Sequence, residues 1–99
     1  MRATSVILEK RLLENEATGE LAVAEIKVWR IPVNRHYPEG IKYSLYLVQH
    51  GEVLIGFDNH SPKGHHLHLG KEEILYSFES MDRLLADFWK LVRQKGFKL

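Results

Sequence analysis

Ninety-nine residues, 44% of them hydrophobic, describe one domain spanning 1–99 with a single core, and a chain of this size buries roughly two-thirds of its unfolded surface. With no cysteine, disulfide frameworks, thiolate zinc sites and thiol nucleophiles are excluded. Fourteen Lys plus Arg against thirteen Asp plus Glu exclude a strongly polybasic nucleic-acid tail.

Taken in chain order, Val6 to Leu13 reads as a first strand, although its apolar residues do not alternate cleanly. A polar loop, Asn15 to Gly19, has hairpin length. Leu21 to Ile31 is a long second strand with Ala22, Ala24, Ile26 and Val28 on one face and Glu25, Lys27 and Trp29 on the other. Pro32 ends it by removing an N–H donor. Ile41 to Gln49 sets Ile41, Tyr43, Leu45 and Leu47 against Lys42, Ser44, Tyr46 and Val48. His50-Gly51 then forms a two-residue turn into Val53 to Asp58, since glycine supplies the positive φ that such a turn requires. Asn59 to Gly64 is a loop, His65 to Leu69 a short extended piece and Glu73 to Phe78 a further strand.

The last element changes period. Met81, Leu84, Leu85, Phe88 and Val92 form one stripe of an amphipathic helix over 80–95, with Ser80 as N-cap and Lys95-Gly96 as its stop. The expected fold class is α+β: an antiparallel sheet of five or six strands with one C-terminal amphipathic helix packed on one face. No apolar run approaches the ~20 residues of a membrane span, and Val6-Ile7-Leu8 is too short for a signal peptide, so no membrane partner and a cytoplasmic location are expected. An uncovered edge strand would favour pairing of two copies into a homodimer.

Four of the six histidines fall between His60 and His68, directly after a strand, where a loop is held by a rigid sheet. In an extended segment His66 and His68 project to one face, about 6.6 Å apart at Cα. Two imidazoles so placed can flank a phosphate, one taking a proton while the other gives one. RNA cleavage without a metal needs that pair together with a fixed cation, for which Lys63 is nearest. Asp58 is the candidate to orient an imidazole. On this reading the catalytic residues are His66, His68, Lys63 and Asp58, and no cofactor is needed.

The alternative reading is a divalent-metal site for zinc, nickel or manganese, built from Asp58, His60, His66 and His68; their spacing matches no H-E-x-x-H signature. A third reading is a non-catalytic protein- or nucleic-acid-binding domain whose basic zones, residues 27–42 or the helix around Lys90 and Arg93, dock a partner. Arg30 and Arg35 flank Pro32 and can bind phosphate, with surface solvation as the plainer account. Tyr43, Tyr46 and Tyr76 can supply hydroxyls, although on strands they more often pack. His36 and His50, each alone in a turn, carry no site.

The runs Val28-Trp29-Arg30-Ile31-Pro32, Lys42-Tyr43-Ser44-Leu45, Gly56-Phe57-Asp58-Asn59, Lys63-Gly64, His66-x-His68 and Leu84-Leu85-Ala86-Asp87-Phe88-Trp89 resemble, in the same order, the motifs of the TumE-type toxin family. The resemblance covers about residues 20–93. It implies a toxin of a type II toxin–antitoxin module, restrained by a helix-turn-helix antitoxin encoded beside it; RNA as the substrate is the expectation from the histidine pair and from how many small toxins act. It adds Asn59 and Gly64 as motif residues, and with Arg30, Lys42 and Tyr43 these form the expected substrate-binding set. The chain departs from the family pattern at Leu67 and Ser44, where arginines are expected, and at His65, where an aspartate is expected. The loss of two arginines leaves phosphate binding to Lys42, Lys63 and Arg30.

Overall fold

The computed structural model describes residues 3–99. Six antiparallel strands, β1 (Thr4–Glu14), β2 (Leu21–Arg30), β3 (Ile41–Gln49), β4 (Glu52–Asp58), β5 (His66–Leu69) and β6 (Glu72–Leu75), pair in chain order as an open meander. One helix, α1 (Met81–Gln94), follows. The chain therefore has the expected α+β architecture.

The irregular start of β1 has a local cause. Ser5 pairs with Trp29 and Ile7 with Val28, so Val6 is an extra residue in a bulge. Beyond the bulge alternation resumes, with Leu13 buried and Leu8 and Leu12 exposed on the other side. The β3–β4 hairpin closes through His50 and Gly51 at φ 52° and 75°. Two consecutive positive φ values give the turn whose twist matches antiparallel strands. β6 stops at Leu75, three residues before the expected Phe78. Its partner strand begins at His66, so the ladder is spent by then, and only a bond from Tyr76 N–H to the His65 carbonyl continues it.

Register stacks the apolar residues in rows. Ile26, Leu45, Phe57 and Leu67 are successive cross-strand partners, as are Ala24, Leu47 and Ile55. All are buried beneath Leu84, Phe88 and Val92 of α1, with the Phe88 and Phe57 rings edge to face at 6.2 Å. Burying each such side chain contributes about 1.5–3 kcal/mol. Ser80 caps the helix, its hydroxyl accepting from Arg83 N–H at 3.1 Å. After Gly96 the chain does not trail away. Phe97 is buried, Asn15 forms a β-bridge with it, and Asn15 Nδ2 donates to the Lys95 carbonyl. The helix and this tail cover one face of the sheet and leave the other face open.

Candidate functional site

The open face carries the polar rows of the same ladder. Tyr46, Gly56, His68 and Glu73 are successive partners across β3 to β6, and the next row contains Ser44, Asp58, His66 and Leu75. His66 and His68 thus project to one side, as their spacing requires, with ring centroids 4.8 Å apart. Asp58 lies between them: Oδ1 is 3.2 Å from His66 Nε2 and Oδ2 is 3.3 Å from His68 Nε2. A groove of about 340 Å³ opens between this cluster and the loop from His60 to Lys63.

Each group is held by a specific neighbour. His66 Nδ1 lies 2.7 Å from the Gly64 carbonyl. A carbonyl only accepts, so Nδ1 carries the hydrogen and Nε2 faces the groove. The Tyr46 hydroxyl donates to Asp58 Oδ2, and its ring stacks against His68 at 6.1 Å. His60 contributes its backbone N–H to Asp58 Oδ1 at 3.2 Å. Burial alone would raise the Asp58 carboxyl. The Tyr46 hydroxyl, the His60 N–H and the two imidazoles together outweigh it and hold the carboxyl below its ordinary range. Burial, then the bond to Asp58, pushes the Tyr46 phenol up, so it stays a donor.

Glu73 is the group that spacing alone did not identify. Its carboxylate accepts from Lys63 Nζ at 3.0 Å and lies 3.9 Å from His66 Nε2 and 3.7 Å from His68 Nδ1. Lys63 therefore stands at the rim already paired, and that hydrogen bond, first of all, lowers the Glu73 carboxyl. The signal for Glu73 was the Gly70-Lys71 turn, which sets it opposite His68. The signal for Tyr46 was its place on the polar side of β3.

Several expected residues lie elsewhere. Tyr43 is on the helix face and buried, its hydroxyl 2.8 Å from His65 Nδ1. Asn59 is also buried and makes a clamp, accepting from Tyr43 N–H and donating to the Ile41 carbonyl, both at 2.9 Å. It extends the β3–β4 ladder by one side chain. Gly64 acts through its carbonyl on His66. The His60 side chain is exposed and outside the Asp58, His66 and His68 cluster. Arg30 pairs with Ile41 at the far end of β2, and its parity with the buried Val28 puts it on the helix side. Lys42 is on the open face but borders a neighbouring depression that shares only Ser61 with the groove.

No helix among the described residues is long and apolar enough to cross a membrane. Neither a curated protein nor a solved structure matches the chain. A family model described as Toxin TumE matches residues 2–95, nearly the whole sequence, and the chain belongs to that toxin family.

Proposed function

We propose that this chain is the toxin of a toxin–antitoxin module, that it acts by cleaving RNA on the open face of its sheet, and that a helix-turn-helix antitoxin restrains it. Family membership supports the toxin role, and a toxin that acts inside its own cell requires such a partner. The observation that carries the chemistry is the single carboxylate, Asp58, that lies 3.2 and 3.3 Å from the Nε2 atoms of two imidazoles beside a groove.

One imidazole removes the proton of a ribose 2′-hydroxyl, whose oxygen attacks the adjacent phosphorus. As the P–O5′ bond breaks, the other imidazole protonates the departing oxygen and a cyclic phosphate remains. His68 is the more exposed ring and meets the substrate first; its side chain is 24% exposed against 6% for His66. The Gly64 carbonyl orients His66 through Nδ1, and Asp58, beside both Nε2 atoms, stabilises whichever ring carries the proton. Lys63 is the cation for charge gathering on the phosphoryl oxygens once substrate competes with Glu73. An RNA strand leaving the groove past Ser61 next meets Lys42. Arg30 and Tyr43 do not share the groove, while Asn59 and Gly64 position the residues that do.

The test is RNA cleavage by purified protein in excess EDTA, beside His68→Ala of verified fold. Cleavage by the parent, reduced about 10²-fold or more in the variant, supports the assignment. Equal cleavage by both proteins, or none by either, overturns it.

A further inference from the structure

We infer that Asp58, His66 and His68 form a binding site for one divalent transition-metal ion, ligated by the two Nε2 atoms and the carboxylate. Their donor atoms all lie within 4.8 Å of one another. Around zinc, ligands at about 2.0–2.1 Å in a tetrahedron stand about 3.3 Å apart. His66 Nε2 lies 3.2 Å from Asp58 Oδ1 and His68 Nε2 lies 3.3 Å from Oδ2, each near that edge, so the carboxylate offers a different oxygen toward each ring.

The tautomer of His66 points the same way. With Nδ1 committed to the Gly64 carbonyl, Nε2 is the His66 nitrogen that faces the carboxylate and can ligate an ion. A metal ion seated between Nε2 and the carboxylate oxygen would meet both, as would a proton on Nε2. The supports are those that hold metal ligands in register: a carbonyl behind one histidine, and a hydroxyl and an N–H on the carboxylate. Two carboxylates, Asp58 and Glu73, stand here against the one ammonium of Lys63, a balance that favours a cation. Two nitrogens and one oxygen suit zinc, nickel or cobalt better than magnesium or calcium. The groove leaves a further coordination position accessible.

Ligation and proton transfer use the same two lone pairs. An ion on both Nε2 atoms removes them from acid–base work, so the bound metal is a brake on cleavage. That consequence rests on the ribonuclease reading above; the metal site does not.

The experiment is titration of chelator-stripped protein with zinc chloride by calorimetry, repeated with cobalt chloride for visible absorption. One ion per chain and the cobalt bands of a tetrahedral site are expected. Both should vanish in His66→Ala and in His68→Ala and persist in His60→Ala, with Tyr46→Phe weakened about tenfold. His68→Gln is the second variant, since it removes the ligand while keeping a polar side chain. No uptake by the parent, or unchanged uptake in His68→Ala and His68→Gln, overturns the site. Zinc that suppresses RNA cleavage, reversed by EDTA, supports the brake. Cleavage that rises with zinc occupancy overturns the brake and the acid–base reading while the binding data still establish the site. Binding without cleavage under any condition overturns the ribonuclease reading alone.

Discussion

Gly56 lies directly beneath the ring of Tyr46, so close that a β-carbon at this position would stand 2.4 Å from Tyr46 Cε1. The two are cross-strand partners in the row that ends at His68 and Glu73. The missing side chain is what lets the tyrosine lie flat and reach Asp58. Gly56→Ala should expel the ring, destabilise the fold by about 1–3 kcal/mol and release Asp58 from its hydroxyl. Denaturant unfolding reads the first effect. In a double-mutant cycle with Tyr46→Ala, the alanine at 56 should cost much less once the ring is gone; additive losses would contradict the contact.

Asn59 should behave as part of the ladder. Asn59→Ala leaves the Tyr43 N–H and the Ile41 carbonyl without their partner, at about 1–3 kcal/mol for each buried group left unpaired. Asn59→Asp should be at least as harmful, because it replaces a donor to Ile41 with a second acceptor. Urea denaturation of both variants checks this, and a midpoint unchanged from the parent would refute the clamp.

The Tyr76 hydroxyl donates to Asp87 Oδ2 at 2.6 Å, and Arg83 Nε donates to Oδ1 at 3.1 Å. Burial would raise this carboxyl, but the tyrosine and arginine bonds win and lower it. A carboxyl lowered on folding contributes fully above the ordinary carboxylate range and loses its contribution as pH falls through its depressed value. The melting temperature should therefore decline in acid more steeply for the parent than for Asp87→Asn. Parallel declines between pH 7 and pH 3 would remove Asp87 from the account.

Lys63 and Glu73 set the charge at the rim. Lys63→Ala should weaken RNA binding and lower the slope of log affinity against log salt by about one. Glu73→Gln, which frees the ammonium, should tighten binding. Fluorescence anisotropy with a labelled oligoribonucleotide over a salt series measures both. An unchanged slope in Lys63→Ala would mean that this lysine does not meet phosphate.

Alternation was enough to read the faces of β2 and β3, because each has one side against the core and one toward solvent. Ile26 and Leu45 announce the core as plainly as Lys27 and Ser44 announce the open side. The i, i+2 spacing of His66 and His68 likewise put both rings on one face once the segment was taken as extended. Other features depended on register. That Asp58 sits beside His66, and Glu73 beside His68, follows from which hairpin turns close and at what length. Asn59 read as a polar loop residue because a side chain that substitutes for a backbone partner leaves no local pattern. Phe97 read as tail because its burial depends on Asn15, eighty-two positions earlier in the chain.

The helix and the groove lie on opposite faces of one sheet, and this division limits how the protein can be silenced. To plug the groove from within, α1 would have to pass around an edge, abandoning Leu84, Phe88 and Val92 from the core. Among the described residues, α1 is thus not placed to serve as a pseudosubstrate. On the proposed reading, restraint would arrive from outside, as an ion seated among the histidines or as another macromolecule laid across the open strands. A partner gripping only the helix would leave the groove accessible to its substrate.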